Sequence, residues 1–324
     1  MAYSLEMTRM SSKTKKVNFQ IKSWDENTDR SLILSIYNAH RKHILSEAYV
    51  EQKKDIFLML GDKVKYSRDF LLAENEKGEI VGVAGLTNFL GNVKSTRLIY
   101  GILPEYFNST LPQQLLKAAI ALGKKLKLST LVLDTKGSNS APFDNALEHM
   151  GYHPIQYLLE MHLTDFIQTT PVDLPLDVSI LQKSGEPDNY HLYVDLINKS
   201  FIGSFEFLPA KAESSKKIFQ IRKNQFDIEV FYVKNQQQPI GVSVFFVDAQ
   251  KKIGTIYSVG ILPEYRHRGI GTKLLEATIQ TAKNQGCKTI QLDVHVDNEK
   301  ALNLYQKLGF QSNENMKSTF YKVI

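Results

Sequence analysis

The hexapeptide Gly-Ile-Leu-Pro-Glu-Tyr occurs twice in this chain, at 101–106 and at 260–265, an offset of 159. The flanks agree at the same offset: Val81-Gly82-Val83 stands opposite Ile240-Gly241-Val242, Leu115-Leu116 opposite Leu274-Leu275, and TLVLD at 130–134 opposite TIQLD at 289–293. Further on, NALEHMGY at 145–152 parallels NLYQKLGF at 303–310 at an offset of 158, one residue having dropped out. Self-similarity at so long a period means that one folding unit has been copied. The length of 324 residues suits two domains better than a single core. They are expected at 17–168 and 176–324, joined across 169–176, where Pro171 and Pro175 interrupt any regular element.

Within the second copy the patterning predicts strand 178–181, helices 189–201 and 212–224, and strands 229–233, 240–247 and 253–261. Helix 272–285, strand 289–296, helix 300–308 and a last strand near 319–323 follow, while the strand-like 157–163 closes the first copy. This mixed order predicts an α+β fold in α/β/α layers, each copy a mixed, mostly antiparallel sheet flanked by helices.

Between strand 253–261 and the next helix lies Arg266-His267-Arg268-Gly269-Ile270-Gly271, with Thr272 opening the helix and Pro263 ending the strand. The first N–H groups of a helix lack intrahelical partners, and the helix dipole adds positive charge there, so glycines and arginines at this place suit an anion. No glycine stands four residues before a Gly-Lys pair, which excludes a Walker loop, and only two of the three glycines of a dinucleotide fingerprint are present. The Arg-x-x-Gly-x-Gly pattern that does fit resembles the GCN5-related N-acetyltransferase (GNAT) family, as does Asn298 followed by Ala301, Leu304-Tyr305 and Leu308-Gly309-Phe310.

The resemblance implies two tandem acyl-CoA N-acyltransferase folds, acetyl-CoA as co-substrate without a metal, and transfer of an acetyl group to a primary amine. It implies that Arg266, His267, Arg268, Gly269, Ile270, Gly271 and Thr272 cradle the pyrophosphate. Val259, Gly260 and Ile261 would pair with the pantetheine arm, one of their N–H groups serving the thioester carbonyl, and Asn298 would hydrogen-bond the same arm. Tyr305 would protonate the departing thiolate as general acid. Asp293 occupies the position of an acidic base in some members, with His295, Glu206 and Tyr257 as rivals. Gly260 could also mark a bulge. Phe205, Glu206 and Phe207 are expected to shape the acceptor site.

The first copy departs from this pattern. Phe107-Asn108-Ser109-Thr110-Leu111-Pro112 stands where the second has its Arg/Gly loop, and Leu147 replaces Tyr305. That copy is expected to keep the fold and bind no cofactor. A non-catalytic acyl-CoA-binding or interaction protein is the alternative reading. The net charge of +6 is spread evenly over both halves, and no aromatic-basic motif supports a nucleic-acid partner. A lone Cys287 excludes a disulfide framework and a cysteine metal site. Without an apolar signal core or membrane-length run, the cytoplasm is the expected location, and the partner is a small-molecule or peptide amine.

Overall fold

The computed structural model describes residues 18–24, 30–45, 70–87, 95–128, 130–136, 141–166, 174–202 and 209–322. The first repeat runs β1 (Gln20–Ser23), α1 (Arg30–Leu45), β2 (Phe70–Glu74), β3 (Ile80–Thr87), β4 (Ser95–Ile102), α2 (Leu111–Lys125), β5 (Thr130–Lys136), α3 (Ala141–His149) and β6 (Pro154–Leu163). The second runs β7 (Val178–Ser184), α4 (Tyr190–Phe201), α5 (Ala212–Arg222), β8 (Asp227–Asn235), β9 (Gln238–Asp248), β10 (Ile253–Ile261), α6 (Ile270–Asn284), β11 (Thr289–His295), α7 (Glu299–Lys307) and β12 (Gln311–Lys322). The repeat seen in sequence is a repeat of elements: α2 and α6 begin and end 159 residues apart, as do β5 and β11.

Helices cover both faces of the sheet. In β2, Phe70 and Leu72 pack with Ile33, Ile36 and Tyr37 of α1, while Leu71 and Ala73 pack with Leu111, Leu115 and Leu116 of α2. That is the period-two alternation of a strand buried on both sides. In β11, Ile290, Leu292 and Val294 enter the core beside Leu274 and Leu275 of α6, whereas Asp293 is exposed on the opposite face. No helix among the described residues is long and apolar enough to cross a membrane.

The last strand of each repeat joins the other repeat's sheet. One twelve-stranded sheet runs β1-β2-β3-β4-β5-β12-β6-β11-β10-β9-β8-β7. Strand β6 pairs antiparallel with β11, from Leu163↔Ile290 to Leu158↔His295, and β12 lies between β5 and β6. The sequence places 157–163 at the close of the first copy; in the fold it borders the second. The near-identical β5 and β11 offer equivalent edges to either strand, and joining across them leaves neither edge bare. Strand β12 also begins at Gln311 rather than near 319, because flanking strands impose pairing on a polar stretch of low β-propensity.

Candidate active site

Strand β10 pairs with β9 along its whole length, but with β11 only from Ile253↔Thr289 to Thr255↔Gln291. Past Thr255 the two strands part, and a wedge opens along the 256–261 edge of β10. The Leu262 N–H donates to Ile240 O on β9 at 2.9 Å. Donors of successive residues in a strand leave by opposite edges, so the N–H of Ile261, and of Val259 two residues earlier, points into the wedge.

The bulge in β10 falls between Ile256 and Ser258, not at Gly260. It makes Tyr257 the extra residue and turns its side chain outward, 43% exposed, with its ring 5.0 Å from that of Phe246. Gly260 serves packing instead. A Cβ there would lie 2.7 Å from Ser200 Cβ on α4, and one at its counterpart Gly101 would lie 2.9 Å from Tyr37 Cα on α1.

After a single 3-10 turn at Pro263–Tyr265, α6 starts at Ile270, two residues before the sequence reading put it. Gly269 caps it in the left-handed region (φ 76°), His267 precedes it at φ 62°, and no side chain caps the helix. The first-turn donors of α6 are therefore left for an anion. Ile270 is buried and anchors the turn, and Thr272 is half-buried. A Cβ on Gly271 would meet Leu304 Cδ2 at an ordinary 3.8 Å, so packing within the chain does not demand a glycine there.

The basic side chains divide. Arg266 donates from Nε to Ile261 O at 2.9 Å and from Nη2 to Ser200 O, tying the end of β10 to the C-terminal end of α4. Cations suit helix C-termini, and this role was not visible in the motif. Arg268 donates to Glu264 O at 3.1 Å and lies 5.4 Å over the Tyr265 ring, and both it and His267 are exposed.

Downstream, Asn298 is the N-cap of α7, its Oδ1 accepting the Ala301 N–H at 3.2 Å. Its side-chain oxygen is committed to the helix, which leaves its amide N–H groups to donate. Tyr305 is buried against Phe310 with ring centroids 5.8 Å apart, and desolvation raises its phenol to about 12. Asp293 faces away from α6 in register with Glu160 of β6. Beside it, burial lowers the half-buried His295 imidazole, and Asp297 partly offsets this. Phe205, Glu206 and Phe207 lie outside the described residues. Among the described residues no group of three or more His, Cys, Asp or Glu side chains is placed to hold a metal ion.

The acetyltransferase (GNAT) family matches residues 175–310. Residues 175–310 form a domain of the GNAT family. It is 33% identical over 99 residues to N-alpha-acetyltransferase 30 of Schizosaccharomyces pombe, covering 30% of this chain and 66% of that protein. It is 30% identical over 217 residues to a mycothiol acetyltransferase of Paenarthrobacter aurescens, covering 64% of each. The chain thus spans just under two thirds of the length of these relatives. Among solved structures it superposes on a tandem GNAT protein from the clavulanic acid biosynthesis pathway with a TM-score of 0.69, covering 94% of this chain and 98% of that one at 14% identity, a likeness of fold.

Set against the GNAT domain, the first repeat is closed at the matching place. Leu103 N–H donates to Val81 O at 2.9 Å, as Leu262 does to Ile240, so the Ile102 N–H points as the Ile261 N–H does. His40 of α1 meets it: its Nδ1 accepts that N–H at 3.3 Å. The imidazole lies among Phe107, Phe143 and Tyr100, with ring centroids at 5.0, 5.1 and 5.2 Å. Phe107 occupies the position of Arg266 and Phe143 that of Ala301, while Leu147, opposite Tyr305, is fully buried. His40 has no counterpart in the motif comparison, and only its neighbours in the fold reveal its part.

Proposed function

We propose that this protein is an acetyl-CoA-dependent N-acetyltransferase with one working GNAT domain, the second, and that the first binds no cofactor. The observation that carries this reading is the contrast at equivalent strand ends. The Ile102 donor is occupied by a buried His40, whereas the Ile261 donor points into a wedge bordered by Gly269, Gly271 and the uncapped start of α6.

The first-turn N–H groups of α6 would hold the pyrophosphate, and Gly271 gives it room to approach the backbone. His267 and Arg268 would add charge from solvent. Arg266 would act indirectly, by fixing the strand end on which Val259, Gly260 and Ile261 present their backbone. The N–H groups of Val259 and Ile261 would receive the pantetheine arm and polarise the thioester carbonyl. The amide of Asn298 remains able to donate to the same arm.

An amine arrives largely as ammonium and must lose a proton before its nitrogen can attack the carbonyl carbon. Asp293 would take that proton, directly or through one water. The C–N bond forms, the C–S bond breaks, the thiolate takes the Tyr305 proton, and the phenolate is restored by the second proton that the nitrogen sheds as the amide forms. With its phenol near 12, Tyr305 stays protonated at neutral pH and so is a donor. A thiol in water titrates near ~8.5, so this transfer runs uphill unless the thiolate too is desolvated, as burial beside Tyr305 would make it. The acceptor class is a small-molecule or peptide amine, in keeping with relatives named for mycothiol and for N-alpha acetylation.

The test is release of free thiol from acetyl-CoA in the presence of a panel of polyamines, amino acids, aminoglycosides and peptides with free N-termini. Turnover with at least one amine is expected. Cofactor binding without turnover on any of them would favour the non-catalytic acyl-CoA-binding protein.

A further inference from the structure

The repeats differ in the length of their first helix. Gly101 and Gly260 hold the same place in the two copies of GILPEY, and each makes room for one residue of that helix, Tyr37 on α1 and Ser200 on α4. Tyr37 and Ser200 are therefore matching positions. From Tyr37, α1 runs on to Leu45, and this added stretch carries His40, which accepts the Ile102 N–H. From Ser200, α4 runs on only to Phe201. Ile202 has already left the helix, at φ −56° and ψ 130°.

The two helices divide over one carbonyl. A helix continues when each carbonyl accepts the N–H four residues on, so inside α1 the Tyr37 carbonyl falls to the Arg41 N–H. The matching carbonyl, Ser200 O, accepts from Arg266 Nη2 instead, while Nε of the same guanidinium donates to Ile261 O at 2.9 Å. The last carbonyls of a helix take partners from outside it, and a cation there also meets the negative end of the helix dipole. In the first repeat Phe107 stands at the position of Arg266, and its side chain has no donor to compete with the helix. A second tie lies nearby. Asn198 Oδ1 accepts the Ala210 N–H at 2.8 Å and Nδ2 donates to Ala210 O at 3.1 Å, which brings the chain back to α4 but leaves Ser200 O to Arg266.

We propose that Arg266 is a positioning residue, the stop that holds α4 short and fixes the strand end at Ile261 for the pantetheine arm. The inference rests on the acetyl-CoA reading above. It gives the arginine of the motif a task other than phosphate contact, and it explains why the repeat that lacks the arginine also has the longer helix and the occupied donor. Arg266 acts through backbone alone, since both of its acceptors are main-chain carbonyls.

Three readouts on the whole chain test the stop. The first titrates Arg266→Met with acetyl-CoA and with the nucleotide half of the cofactor, adenosine 3′-phosphate 5′-diphosphate, which keeps the pyrophosphate and lacks the arm. Acetyl-CoA is expected to weaken by about tenfold or more, the size of a lost hydrogen bond or two to a charged group, and the nucleotide half to bind as before. Equal weakening of both, or of neither, would overturn the proposal. The second reads the 13C shifts of Ile202 in protein without ligand, and so stands even if no cofactor binds. Extended backbone is expected in the wild type and in Asn198→Ala, and helical backbone in Arg266→Met; an Ile202 that stays extended in Arg266→Met would contradict the stop. The third uses the unaltered chain. The Arg266 Nε–H is expected to exchange slowly with solvent and to keep its shift when acetyl-CoA is added, whereas fast exchange, or a move onto the cofactor, would refute the assignment.

Discussion

The His40 imidazole accepts the backbone N–H of Ile102 at 3.3 Å, whereas Ile261, the equivalent residue of the second repeat, directs its N–H into an open wedge. Burial lowers His40 from 6.5 to about 3, so it sits there neutral. The unfolded chain binds a proton at His40 that the folded chain refuses between those values. Stability from this group is therefore fully present above pH 6.5 and lost as pH falls toward 3. Acid unfolding of the wild type is expected to lose up to a few kcal/mol over that window, and His40→Gln, which keeps an acceptor, to flatten it. Chemical denaturation at pH 7, 5.5 and 4 gives the slope. A His40→Gln profile parallel to the wild type would contradict the assignment.

Three glycines around the wedge are predicted to answer differently to alanine. Gly260→Ala drives a methyl into Ser200 and should cost about 1–3 kcal/mol of stability, as overpacking does. Gly269→Ala forces a side chain into the left-handed region at φ 76° and should cost about 1–2 kcal/mol. Gly271→Ala meets only an ordinary contact and should change stability by less than about 1 kcal/mol. Yet it should weaken acetyl-CoA by about tenfold or more, a loss of about 1.4 kcal/mol. Urea melts and cofactor titrations on the same preparations separate the two effects.

How far the sequence carries is plain from these residues. The repeat offset pairs the elements of the two halves, and the strand expected at 289–296 forms at 289–295 with Ile290, Leu292 and Val294 buried. Local patterning cannot say which of two similar edges a strand will join. So the crossing of β6 and β12 was hidden, and with it the register of Glu160 opposite Asp293. Motif spacing marked Arg266 and Asn298 as cofactor contacts, but not that one guanidinium would clasp Ile261 and Ser200, or that the Asn298 oxygen would cap α7. The bulge that turns Tyr257 outward was equally invisible, since a bulge depends on the partner strand's register.

Tyr305→Phe removes a hydroxyl from a ring that packs on Phe310, so the fold should keep its stability within about 1 kcal/mol. Turnover should fall by about 10²-fold or more if the phenol protonates the thiolate, with KM for acetyl-CoA little changed. Since burial holds the phenol near 12, the wild-type pH–rate profile should show no alkaline limb from Tyr305 below about pH 11. Steady-state kinetics from pH 6 to 10 checks both. An equal rate in Tyr305→Phe would remove the residue from the chemistry.

The central claim is that one repeat binds the cofactor and the other cannot. Isothermal titration of the whole chain with acetyl-CoA tests it most directly. One site per chain is expected, with affinity weakened by Gly271→Ala and unchanged by His40→Gln. Two sites per chain, or a single site that survives Gly271→Ala and is altered by His40→Gln, would contradict the account.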